Sequence, residues 1–239
     1  VSSKRFSEPY FLRRVLREEL VDCDSHHKLL VAAIHAVFLE SGFVGYDSFS
    51  RSRIHQLHID VDWPLKQSTL SIFYTLPELL GKDVSVVLKF QTLGNFLNAF
   101  GSSAAGGSNM HRLCLNASTY APTLRQIWQL NCRNKNMVAE DDESITGMSS
   151  CENEVFKFWK DVKDGLCLPL LIDLCDKAGF PMPSCFSSLP TDLKLSILTL
   201  LPGVDIARME CVSMETRYLS SNNELWKQKF AEEFGNEQL

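Results

Sequence analysis

Leu189-Pro190-Thr191-Asp192-Leu193-Lys194-Leu195-Ser196-Ile197-Leu198-Thr199-Leu200-Leu201-Pro202 is a proline-bracketed segment with more apolar residues than one helix face can hold. Pro190 suits a first helical turn, where its missing N–H would be an orphan anyway. Ser187 or Ser188 can cap that turn, and Asp192 complements the helix dipole. Pro202 disfavours the α conformation at Leu201 and stops the helix. At about 100° per residue, Leu193, Ile197, Leu200 and Leu201 form one stripe, while Leu195 and Leu198 fall on its flank. The stripe can serve the unit's own core. The flank then calls for a second surface, which points to a protein partner.

Working outward, Asp205 can cap a helix carrying Ile206, Met209 and Val212, and Asn222 or Asn223 one carrying Leu225, Trp226, Phe230 and Phe234. Three short helices in about 50 residues bury little surface, so the unit is marginal alone and gains from a stable partner. The pattern Leu189-Pro190, Asp192, Leu193, Leu195, Ile197, Leu198, Asp205-Ile206, Val212-Ser213 and Leu225-Trp226 resembles an F-box. The family usually places a basic and then an aromatic residue after Val-Ser, whereas Met214-Glu215-Thr216 stands here.

Upstream, Asp24 or Ser25 can cap a helix with Leu30, Ile34, Val37, Phe38 and Ser41 on one face, ended by Gly42. After a polar loop, Leu57 to Trp63 alternates strictly before Pro64, as does Leu70, Ile72, Tyr74, Leu76 before Pro77. Val84, Val86, Leu88 and Phe90 alternate too, and Leu93 to Phe100 and Met110 to Ala117 continue the series as an antiparallel meander. Residues 101–109 read as a flexible Gly/Ser hairpin loop, Leu124 to Leu130 as another strand, and residues 131–150 as an acidic, mobile loop. Val155, Phe158, Trp159, Val162 and Leu166 share a helical stripe, and Pro169 opens a further helix that ends before Gly179. The expected fold is α+β, an antiparallel sheet with helices on one face over residues 6–180, then a small all-α unit at 186–235.

The helix ending Phe38-Leu39-Glu40-Ser41-Gly42-Phe43, the meander, and Leu168-Pro169-Leu170-Leu171 leading into an F-box resemble the FP domain. That domain is shared by a proteasome inhibitor and by an F-box protein with an N-terminal ubiquitin-like domain; the Gly/Ser and acidic loops suggest a plant-type relative. The resemblance implies a non-catalytic substrate receptor or scaffold of a Skp-cullin-F-box ubiquitin ligase. Leu189, Pro190, Leu193, Leu195, Ile197, Leu198, Leu201 and Val212 would form the adaptor-facing or supporting set. The FP domain would engage another protein, and an exposed stripe on its first helix or a free sheet edge would mediate dimers. The alternative is a proteasome-associated regulatory or dimerising module with a vestigial F-box.

Composition bounds the remaining classes. At 45% hydrophobic and 22% charged, the chain is an ordinary globular protein, and a net charge of −5 gives no footprint for nucleic acid. No apolar run reaches the roughly 18 residues of a membrane span, and no signal-peptide h-region opens the chain. The first residue is not Met, so a fragment or processed product of something longer is expected. Eight cysteines without a C-x-x-C pair read as free thiols of a reducing compartment, cytoplasmic or nuclear. His55, His58, Asp60 and Asp62 offer divalent-metal ligand types, as do Cys23, His26 and His27, and a metal-dependent enzyme is the remote alternative. Alternate polar residues are equally what a half-wet strand displays, and no cofactor or catalytic set is expected.

Overall fold

A computed structural model describes residues 12, 14–16, 25–47, 49–50, 52–54, 59, 63–64, 69–106, 109–133, 145–181 and 186–235, with no side-chain description at 128–133 and 145–152. Helix α1 (His26–Glu40) starts at Ser25 and ends at Gly42, whose φ of +91° is left-handed. Its residues Leu29 to Phe38 are all buried. The helix is therefore central rather than amphipathic, and the exposed dimerisation stripe expected there is absent over that run.

Strands β1 (Val44–Asp47), β2 (Ser52–Arg53), β3 (Thr69–Thr75), β4 (Val86–Leu93), β5 (Phe96–Ser103) and β6 (Met110–Asn116) form one antiparallel sheet, ordered β2-β1-β3-β4-β5-β6. Ile72, Tyr74, Val86, Leu88, Phe90, Leu97, Ala99 and Leu115 enter the core from β3 to β6 as the alternation predicts. The strand expected from Leu93 to Phe100 begins only at Phe96, because Leu93 ends β4 and Gly94-Asn95 forms the hairpin turn. β1 and β2 occupy what was expected to be loop. The strand expected at Leu57 to Trp63 lies outside the described residues, apart from Ile59 and the buried Trp63. Among the described residues β6 pairs on one side only, with β5.

Leu124 to Leu130 belongs to helix α2 (Ala117–Arg133), not to a strand. Tyr120, Ala121, Leu124 and Ile127 are buried at helical spacing, and the Asn116 side chain accepts the Ser118 N–H at 3.0 Å to start the helix. The supposed loop 131–150 is helical at both ends, since α3 (Ile145–Val162) already runs from Ile145; residues 134–144 lie outside the description.

α3 carries the predicted stripe, with Val155, Phe158, Trp159 and Val162 buried, and passes through a π-helical turn (Lys163–Cys167) into α4 (Leu168–Ala178). α4 crosses β5 so closely that a Cβ on Gly101 would lie 2.6 Å from Leu170 Cδ1. Gly101 therefore belongs to a strand under a helix, and the Gly/Ser loop begins only after Ser103. The remaining chain forms four helices, α5 (Thr191–Thr199), α6 (Gly203–Met209), α7 (Met214–Ser220) and α8 (Asn223–Phe234), one more than expected. α7 is opened by a capping box between Ser213 and Thr216. Asn222 caps α8 as anticipated, whereas Pro202 rather than Asp205 occupies the cap position of α6.

Candidate docking surface

α5 is short and leucine-rich, and the structure decides which side faces inward. Leu198 is 0% exposed, joined inside by Thr191 and by Lys194 at 1%. Leu195 and Leu201 pack against the core from its margin. The opposite side carries Leu193 at 51%, Ile197 at 38% and Leu200 at 83% exposure. These three recur at i, i+4 and i+7, one face of a 3.6-residue period. The expected facing is thus reversed: most of the stripe assigned to the core is bare, and Leu198 from the supposed flank is enclosed. Burial of Lys194 sets the rotation, because that side chain meets its partners only on the inner side.

Of the other expected docking residues, Leu189 is half-buried, Pro190 is exposed at the cap position of α5, and Val212 is exposed in the turn after α6. Sequence reading left Val204, Met214, Trp226, Phe230 and Phe234 out of that set, yet all five are exposed. Trp226, Phe230 and Phe234 form an i, i+4, i+8 line on α8, with the Phe230 and Phe234 ring centroids 4.8 Å apart. Trp226 donates its indole N–H to Ser220 O at 2.6 Å and lies beside Gly203, which brings this line to the start of α6. Nine of the fourteen exposed large apolar side chains among the described residues fall after residue 186, so the bare apolar surface is concentrated in these helices.

The inner side of the unit is seated on α3 and the π turn. Tyr218 meets the Trp159 ring edge-on at 5.1 Å and the Phe156 ring at 5.8 Å. Lys194 Nζ donates to Glu215 Oε1 at 2.8 Å and to Ser187 O at 3.0 Å, while Lys163 Nζ lies 3.6 Å from Glu215 Oε2. Lys160 pairs with Asp192 at 2.8 Å. The N–H of Thr191 donates to both Asp164 oxygens at 3.1 Å, so an upstream carboxylate does what Ser187 or Ser188 was expected to do. Burial raises the Asp164 carboxyl above its usual range, against the pull of the Thr191 bonds. Glu40 is likewise raised by burial, opposed by the Trp159 indole, which donates to it at 2.7 Å, and by Lys163.

Burial holds two of the titratable groups, Cys167 and His35, in their neutral forms. Burial pushes the Cys167 thiol up to about 12, which removes its thiolate near neutrality. His35 is buried, bonds Tyr74 Oη through Nδ1 at 2.8 Å, and is lowered by burial to about 4. It is a neutral packing histidine. Among the described residues no three His, Cys, Asp or Glu side chains come together as metal ligands. His55, His58, Asp60 and Asp62 lie outside the described residues, as does Cys23. No helix among the described residues is long and apolar enough to cross a membrane.

Comparison with known proteins places these helices. The F-box domain family matches residues 186–228. F-box protein SKIP22 of Arabidopsis thaliana is 42% identical over 243 residues, covering 98% of this chain and 46% of its own length. A putative F-box protein of the same plant is 42% identical over 240 residues, covering 97% of the chain and 62% of its own length. A third F-box protein of that plant is 34% identical over 193 residues, with 81% of the chain and 94% of the relative covered. The chain thus spans about half to two thirds of the length of the first two relatives.

Proposed function

This chain belongs to the F-box protein family, and we propose that it is a non-catalytic subunit of a Skp-cullin-F-box ubiquitin ligase, its C-terminal helices docking on a Skp-family adaptor. The observation that carries this reading is the bare face of Leu193, Ile197 and Leu200 within the matched F-box residues. A partner that covers it removes apolar surface from water at about 25 cal/mol per Å² and stabilises a marginal helical unit by mass action. Leu189, Pro190 and Val212 extend the docking face, and Leu195, Leu198 and Leu201 hold it from beneath.

The residues before the F-box act as an FP-like domain that engages a target or another protein. The helix, antiparallel sheet and helix order is consistent with that assignment. The mechanism is proximity: a target on this domain is held near the ubiquitin-loaded enzyme, which raises its effective concentration without bond chemistry by this chain. Cytoplasm or nucleus is the proposed setting. Co-expression with a Skp-family adaptor tests the reading. Stable co-elution of the two chains is the expected result. Self-association or proteasome binding with no adaptor retained would instead favour a regulatory module with a vestigial F-box.

A further inference from the structure

The seam between the F-box helices and the upstream helices holds two buried lysines, Lys163 and Lys194, with the carboxylates of Asp164 and Glu215 beside them. A π-helical turn at Lys163–Cys167 interrupts the regular α3–α4 run, and both Lys163 and Asp164 in it reach the F-box side. Asp164 receives the Thr191 N–H at 3.1 Å and the Thr191 Oγ1 hydroxyl at 2.9 Å. Pro190, at the cap position of α5, supplies no side-chain acceptor. The cap of this helix therefore comes from residue 164, across the chain connector.

One turn further along α5, Lys194 is enclosed and donates to Glu215 of α7, whose second oxygen faces Lys163 of the π turn. Glu215 is thus shared by one lysine from each side of the seam. Lys163 also donates to Ser41 Oγ at 3.1 Å, just beyond α1. Tyr218, three residues after Glu215, closes the seam against Trp159. Ion pairs of this kind contribute little net stability over an apolar seam, whereas a slip that separates the partners strands a buried charge, so they favour the register seen here.

We infer that Asp164 and Glu215 are positioning residues for adaptor docking: they clamp the F-box helices to the upstream domain as one rigid body, with Leu193, Ile197 and Leu200 facing outward in a fixed direction. The inference rests on the proposed docking of that face. It adds that adaptor affinity depends on a cap lent by a different part of the chain. Leu193 sits in the first turn of α5, the turn that frays when the Asp164 cap is lost.

The test uses the full chain with Asp164→Ala, Asp164→Asn and Glu215→Ala, amide hydrogen exchange as the structural readout, and titration with a purified Skp-family adaptor. For Asp164→Ala, exchange of the amides from Thr191 to Leu195 should quicken several-fold while the β3 and β4 amides keep their protection. Adaptor affinity should fall about five-fold, the factor that corresponds to loss of one helix N-cap. Asp164→Asn retains one acceptor oxygen and should recover part of both effects, which also covers the case of an Asp164→Ala chain that does not fold. Unchanged exchange and affinity in Asp164→Ala and Glu215→Ala, with binding still abolished by Ile197→Asp, would overturn the clamp and leave the docking reading standing. If the unmodified chain binds no adaptor, the docking reading fails. The clamp is then judged by residual dipolar couplings: one alignment frame for residues 69–103 and 191–234 is expected, and two independent frames would refute it.

Discussion

Shortening Leu198 to alanine should be far more damaging than the same change two residues later at Leu200. Leu198 is 0% exposed and sits in the cluster that contains Ile206, Leu219 and Leu225, so the truncation leaves a cavity that close-packed neighbours fill only in part. The expected cost is about 3 kcal/mol, or roughly 6–12 °C in Tm for a chain of this size. Leu200 is 83% exposed, and the little area it buries gives Leu200→Ala a cost below about 0.5 kcal/mol. Urea titration at neutral pH, followed by circular dichroism and Trp fluorescence, separates the two variants. Equal destabilisation, or a larger loss at Leu200, would mean that α5 is rotated toward the facing its leucine spacing suggests, and the burial argument would fail.

Gly101→Ala should destabilise by about 1–3 kcal/mol, because the new methyl meets Leu170 Cδ1 and Leu88 Cδ2. Adding Leu170→Ala should cost less in that background than in the native chain, and strictly additive losses in urea titration would contradict the close approach of α4 to β5. Ser213→Ala removes the α7 capping box and should cost about 1 kcal/mol by the same titration, and no change would deny the cap a role. His35 has its pKa lowered from 6.5 to about 4 by burial, so its contribution is complete above 6.5 and is lost as pH falls toward 4. That difference corresponds to about 3 kcal/mol. His35→Gln cannot titrate, so its stability measured at pH 7 and pH 4 should fall less than that of the native chain; equal losses would count against a buried neutral imidazole.

Strands β3 to β6 were legible in the sequence because one face is core and the other wet, so that Ile72, Tyr74, Val86, Leu88 and Phe90 alternate with less buried or polar neighbours. Of the C-terminal helices, α5, α6 and α8 were legible through their prolines and Asn222. What escaped has identifiable causes. Leucine or isoleucine at 193, 195, 197, 198, 200 and 201 gives α5 no unique apolar face, so its rotation is set by Lys194, whose partners Glu215 and Ser187 become neighbours only on folding. α7 had a local signal, Ser213 three residues before Thr216, masked by the nearby F-box pattern. Leu124, Ile127 and Leu130 stand three apart, a spacing that puts them on one side of a helix but on alternating faces of a strand, so the helix had a local signal that the strand reading overlooked. The pairing of Thr123 with Glu154 of α3 is a long-range fact. The Asp164 cap was invisible for the same reason.

The reading depends most on whether the outward side of α5 is where the adaptor sits. The direct measurement is the Kd of the purified full chain for a Skp-family adaptor, by calorimetry, with Ile197→Asp and Leu200→Asp against Leu93→Asp on the outer face of the sheet. The account predicts that a charge at 197 or 200 weakens binding by at least about 30-fold while Leu93→Asp binds as the native chain does. Native affinity in both the Ile197→Asp and Leu200→Asp chains would contradict it.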